Sequence, residues 1–302
     1  MTTTPAPTAP TATTTPTAGR SVARVVSPFH TFEGAGFPVR RPFPTEDLPF
    51  LDPFLMVDQV GPVDLAPGEA KGAPPHPHRG FETIQYVIDG DIANADSRGH
   101  RAVVRGGGVQ WLTAGSGIVH EALPTPEFLA AGGRQHMLQI WVNLPARLKG
   151  VPPRSQNAEA ADLPVVRTAE GAELTVLAGT THGSTAPFET HTPLLVVHAR
   201  LAAGGSATFT APAHHTAALH TLTGRAETAG VALPDGHLAV LDHDAGSFTV
   251  RAVDGPAEVL VLAGEPIGEP VARSGPFVMN TVAELHRAQQ DFARGLMGRM
   301  PV

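Results

Sequence analysis

The sequence predicts an all-β protein of two related halves, on three observations. Glycine and proline number 32 and 30 among 302 residues, too many for a helix-rich chain. The apolar runs are short and bounded by turn residues. One plan also occurs twice. Leu65-Ala66-Pro67-Gly68 leads to His76 and His78, then to a strand Ile84-Gln85-Tyr86-Val87-Ile88 and a turn at Asp89-Gly90. Leu201-Ala202-Ala203-Gly204 leads in the same way to His214 and His215, to Leu219-His220-Thr221-Leu222 and to a turn at Thr223-Gly224. Gly108-Val109-Gln110-Trp111-Leu112 is answered by Gly236 to Leu241, so the pattern implies two β-barrels built from hairpins with glycine turns.

The elements follow in order. Residues 1–21 are nearly all Thr, Pro and Ala, without the apolar core of a signal peptide or the basic character of a transit helix, and are expected as a disordered tail. Residues 22–145 form the first barrel. Residues 146–163, proline-rich and polar, read as a linker. Residues 164–275 form the second barrel, and 276–302 a tail with a short helix. There Thr281 with Glu284 three places on reads as a capping box, and Val282, Leu285 and Phe292 as an apolar face that packs on a barrel.

Composition narrows the function. The formal charge of -7 gives no basic field for a phosphate backbone, so direct nucleic-acid binding is not expected. No apolar run approaches the ~20 residues that cross a bilayer. There is no cysteine, hence no disulfide, thiolate ligand or thiol nucleophile, in keeping with a cytoplasmic location.

The chemistry lies in Pro75-His76-Pro77-His78-Arg79-Gly80-Phe81-Glu82-Thr83. Alternate residues of a strand face one side, so His76 and His78 point together. His120, closing the run Gly115-Ser116-Gly117-Ile118-Val119, supplies a third imidazole. Three converging imidazoles suit iron, zinc, copper or nickel, and a His and carboxylate set with open positions favours non-haem Fe(II). The second half lacks the pattern. The interval from Gly108 to His120, counted from Gly236, ends on Phe248, and the adjacent His214 and His215 face opposite sides of a strand. That barrel is expected to be metal-free.

The spaced histidines with the following Gly-Phe-Glu-Thr, the stretch Gln110 to His120, and Gly275-Pro276-Phe277-Val278-Met279-Asn280-Thr281 together resemble the pirin family of the cupin superfamily, over about Val22 to Arg299. The resemblance implies two cupin barrels, double-stranded β-helices set face to face, with one iron in the first. It also implies flavonol dioxygenase activity and, for eukaryotic members, transcription-linked binding. The family's ligands are three His and a Glu two places after the third. His76, His78 and His120 match, but Ala122 stands at the Glu position and Glu121 comes one residue early. Such an offset turns Glu121 to the opposite face unless a bulge intervenes.

Parity offers a substitute. In an uninterrupted strand Glu82, Ile84, Tyr86 and Ile88 share the face of His76 and His78, with Thr83, Gln85 and Val87 outside. The broader cupin pattern His-x-His-x3-Glu also uses that Glu. Glu82 is therefore expected as fourth ligand ahead of Glu121, unless it is an acceptor that steadies a His ring or Gly80 hosts a kink. Either carboxylate is a candidate base for a substrate hydroxyl. Ile84, Tyr86, Ile88 and Trp111 are candidate substrate walls or plain core. The expected cofactor is Fe(II), with zinc, nickel, copper or manganese as alternatives, and the expected partners are a flavonol and O2. Two other classes stay open: a redox-sensitive regulatory protein with a protein partner, and a metal-stabilised scaffold.

Overall fold

The computed structural model describes residues 19–300, so the tail expectation for residues 1–18 lies outside the described residues. The end of that expected tail is anchored. Arg20 is buried, and its guanidinium donates to the carbonyls of Ala211, Pro212, His215 and Ala245.

Strands in the first half are β1 (Val22–Val26), β2 (Phe29–Glu33), β3 (Phe37–Phe43), β4 (Phe54–Leu65), β5 (Ala73–His78) and β6 (Phe81–Asp89). They continue as β7 (Asp91–Asp96), β8 (Arg101–Arg105), β9 (Val109–Thr113), β10 (Ile118–Pro124), β11 (Gly133–Asn143) and β12 (Arg154–Ala158), with helix α1 (Pro126–Ala131) between β10 and β11. The second half runs β13 (Val165–Arg167), β14 (Ala172–Ala178), β15 (Thr180–Thr181), β16 (Ser184–Thr185), β17 (Leu194–Leu201), β18 (Ser206–Thr210) and β19 (Thr216–Thr223). After these come β20 (Arg225–Thr228), β21 (Val231–Pro234), β22 (Leu238–Leu241), β23 (Ser247–Ala252), β24 (Ala257–Gly264), β25 (Ala272–Ser274), β26 (Phe277–Met279) and helix α2 (Val282–Ala293).

Each half is a sheet of seven strands closed by a sheet of four. The first pairs β12-β9-β6-β11-β4-β3-β2 with β5-β10-β7-β8, and the second pairs β1-β22-β19-β24-β17-β14-β13 with β18-β23-β20-β21. The halves are therefore two cupin barrels of one topology, and each takes an edge strand from outside its expected bounds. β12, within the stretch expected as a linker, pairs with β9 of the first barrel, while β1, assigned from sequence to the first barrel, pairs with β22 of the second. Each of these strands extends its large sheet and forms one end of it, which polar composition alone did not signal.

The two large sheets face each other across the main apolar core. Ile84, Tyr86, Val109, Trp111 and Ile140 of one meet Leu177, Val196, Leu222, Leu260 and Leu262 of the other, all nearly solvent-free. Helix α2 begins with the expected capping box of Thr281 and Glu284. Leu285 and Ala288 pack with Val119, Phe277, Met279 and Met297 on the first barrel, but Val282 and Phe292 stay exposed, so the buried stripe is narrower than expected. Among the described residues no helix is long and apolar enough to cross a membrane.

Candidate metal centre

The structure brings His76, His78 and His120 together, with one ring nitrogen from each within 4.8 Å of the others. His76 and His78 lie on β5 and face inward as alternate residues of one strand. β10 pairs with β5 so that His120 stands directly opposite His76. His76 donates from Nδ1 to the Pro74 carbonyl at 2.7 Å, which leaves the lone pair on Nε2, and Nε2 approaches Nε2 of His78 at 3.2 Å. Nε2 of His120 is buried without a hydrogen-bond partner. Burial, then the neighbouring imidazoles, pushes the pKa values of His78 and His120 well below the ordinary histidine range, and burial also lowers that of His76. Neutral rings with converging lone pairs are the state a cation needs, so the residues fit a transition metal of the imidazole-binding kind.

Glu82 is not part of this cluster. Its Oε1 accepts from the Thr113 hydroxyl at 2.6 Å and from His191 Nδ1 of the other half at 2.9 Å, and the residue is fully buried between the barrels. The cause is Gly80, which the sequence reading allowed as a kink. With φ +88° it breaks the strand between His78 and Phe81, its amide bonding to the Gly115 carbonyl, and a Cβ there would lie 2.0 Å from the Val278 carbonyl oxygen. β5 and β6 then belong to different sheets and the alternation restarts out of phase. Thr83 and Gln85 face the histidines, whereas Glu82, Ile84, Tyr86 and Ile88 face the second barrel. The substrate-wall reading of Ile84, Tyr86, Ile88 and Trp111 is corrected with it: all four belong to the inter-barrel core, where Trp111 meets Phe188. Glu121 does not line the cavity, while Ala122 does.

The cavity over the histidines measures about 520 Å3, enough for a three-ring ligand. Its apolar wall is Met56, Ile92, Met137 and Trp141, with Trp141 edge-on to His78 at 5.2 Å between ring centroids. The carboxylates that face it are Glu33 and Asp58, both bound to Arg41, with Asp58 held through two bonds of 2.6 Å. Burial raises the Asp58 pKa against the pull of Arg41. Arg273, which also lines the cavity, lies over the face of Trp141, 4.7 Å from its centroid. None of these was singled out from sequence. Met56 stands opposite Trp141, and Asp58 opposite Gln139, across β4 and β11, a register that needs the tertiary pairing to be known.

Arg273 arrives on the C-terminal segment, which leaves the second barrel and crosses the first. Arg79 is bridged to Phe277 and ion-paired with Asp291 of α2 at 2.7 Å. The buried ammonium of Lys149 donates to the carbonyls of Gly80 and Val278 and to Asn143 Oδ1, so one cation ties the Gly80 kink to that strap. Burial lowers the Lys149 pKa to about 8.

Fold and site define the chain as a bicupin with a candidate metal centre in one barrel. The chain belongs to the pirin family: residues 36–142 match the family's Pirin model and residues 196–298 that of the Pirin C-terminal cupin domain. A Pseudomonas aeruginosa protein called "Putative quercetin 2,3-dioxygenase" is 39% identical over 87% of this chain and 92% of its own. A pirin-like protein of Solanum lycopersicum is 36% identical over 88% and 89%. The crystal structure of quercetin 2,3-dioxygenase from Acinetobacter baumannii, 35% identical, superposes with a TM-score of 0.87 over 93% of this chain and 99% of that one.

Proposed function

We propose that this chain is an iron-dependent dioxygenase that opens the central ring of flavonols, with insertion of both atoms of O2 and release of carbon monoxide. The observation that carries the reading is the convergence of three neutral imidazoles on a cavity of about 520 Å3 with an aromatic wall, in a chain similar to a quercetin 2,3-dioxygenase.

His76, His78 and His120 would hold the ion. Iron bound there supplies Lewis acidity toward an ionised 3-hydroxyl and the open-shell partner that dioxygen needs before it reacts with a closed-shell molecule. The protein's own part is positioning. Trp141, Met56 and Met137 offer an apolar wall to an aromatic substrate, and Arg273 backs Trp141 with its guanidinium over the ring. Enclosure in the barrel keeps bulk water from the reacting carbons. Glu82, engaged by Thr113 and His191, stabilises the junction of the barrels and does not reach the substrate.

Anaerobic loading with Fe(II) followed by O2 uptake on a flavonol panel tests the reading. Quercetin should consume O2 and yield carbon monoxide and a benzoyl ester, and a flavone without the 3-hydroxyl should be inert. Turnover no faster than that of free Fe(II), in a folded and loaded sample, would move the reading to a binding protein.

A further inference from the structure

Across the large sheet of the first barrel runs a row of polar side chains in one register. Gln110 on β9 stands opposite Gln85 on β6, Gln85 opposite Gln139 on β11, and Gln139 opposite Asp58 on β4. All four line the cavity. Gln110, at one end, shares a small recess with His120. Asp58 is at the other, beside Arg41. At the usual strand spacing the row spans about 14 Å. The inward pairs on either side of it on β4 and β11, Met56 with Trp141 and Val60 with Met137, are apolar.

These amides are only partly consumed by the fold: Gln110 donates to the Ser155 hydroxyl oxygen at 3.5 Å. Gln139 is half-buried and makes no side-chain hydrogen bond to any described residue, while the flanking Gln85 is joined to Asn94 through one amide contact of 2.8 Å, which uses one polar atom of each. Whichever way that amide pair is set, Gln85 keeps a second polar atom for the cavity. Asp58 spends one lone pair of each oxygen on Arg41 and retains others. A barrel that served only as a packed scaffold would place apolar side chains on such a row, because an unpaired buried amide costs more than it returns.

We infer that the row Gln110–Gln85–Gln139–Asp58 is a recognition ladder for oxygen substituents on the part of the substrate remote from the metal centre. The substrate class is then a planar aromatic that chelates at one end and carries hydroxyl groups along its length. Amides donate to or accept from these hydroxyls, and the Asp58 carboxylate accepts from the farthest. This deepens the flavonol reading and rests on it.

The test is ligand binding to the metal-loaded protein, followed by quenching of tryptophan fluorescence, with quercetin and with 3-hydroxyflavone. The two share the chelating end, and only quercetin has remote hydroxyls. Quercetin should bind about tenfold more tightly, the scale of one or two enclosed hydrogen bonds. Gln139→Leu should weaken quercetin about tenfold and leave 3-hydroxyflavone within twofold. Equal affinity of the two ligands, or equal weakening of both by Gln139→Leu, would overturn the ladder. O2 uptake separates this result from the dioxygenase reading. The predicted affinity pattern without turnover would keep the ladder and remove the activity, and equal affinities with brisk turnover would do the reverse.

Discussion

The two barrels share a topology and differ in what fills them. In the first, His120 stands opposite His76 on the β10–β5 pair; in the second, Phe248 stands opposite Phe209 on the corresponding β23–β18 pair. The two phenylalanines stack at 5.8 Å between centroids, and with Leu174, Leu219 and Leu233 they fill the second interior. One barrel thus closes on an apolar core, while its twin keeps a cavity lined by imidazoles and amides. The same strand order supports either outcome, so the fold fixes where inward positions lie and the residue types there decide whether the barrel has a site. The hollow barrel relies on its neighbours for support: the filled barrel backs its large sheet, and the C-terminal segment straps its metal end.

The largest effect expected from this contrast is on stability. Phe248→Ala should cost about 3–5 kcal/mol, because it opens a cavity in a packed interior. The measurement is denaturant unfolding followed by circular dichroism, because both tryptophans, Trp111 and Trp141, lie in the first barrel. A loss below about 1 kcal/mol would show that the second barrel is not held together by its filling.

Acid should act at the junction of the barrels. His136 and His220 are buried, and burial lowers their pKa values to about 4 and about 3. In the unfolded chain a histidine titrates near 6.5. The folded values lie below the unfolded one, so their contribution is complete above pH 6.5. It is lost as pH falls toward 4 for His136 and toward 3 for His220. Each should remove on the order of 3 kcal/mol by pH 4. Thermal melts between pH 7 and 4 read this, and His136→Gln should flatten the profile.

Glu82→Gln should separate structure from site. Replacing the carboxylate that joins Thr113 to His191 should cost about 1–3 kcal/mol while metal content stays that of the parent protein. Loss of metal with unchanged stability would return Glu82 to the metal centre. The smallest effect belongs to the cavity itself: Gln139→Leu should change stability by about 0.5 kcal/mol or less, since its half-buried amide makes no hydrogen bond to a described residue.

Much of this could be read in the chain. Glycine and proline punctuation gave the all-β class, the repeated plan gave two barrels, and the spacing of His76, His78 and His120 gave the cluster. Counting along the repeat also reaches Phe248, but it matches His214 and His215 to His76 and His78, whereas they lie in a turn after β18 and the residue opposite Phe248 is Phe209. The face of β6 was lost because parity holds only within one strand, and Gly80 at positive φ ends that strand before Glu82. Asp58, Gln139, Trp141 and Arg273 were out of reach for another reason. Each sits on an element whose inward face is set by long-range pairing, and Arg273 comes from beyond the second barrel to line the cavity of the first.

The central claim, that one barrel holds a metal site and its twin holds a core, is tested most directly by elemental analysis of purified protein beside a His120→Phe variant, which copies the residue of the filled barrel. The account predicts one transition-metal ion per chain in the parent and none in the folded variant. Two ions per chain, or a variant that keeps its metal, would contradict it.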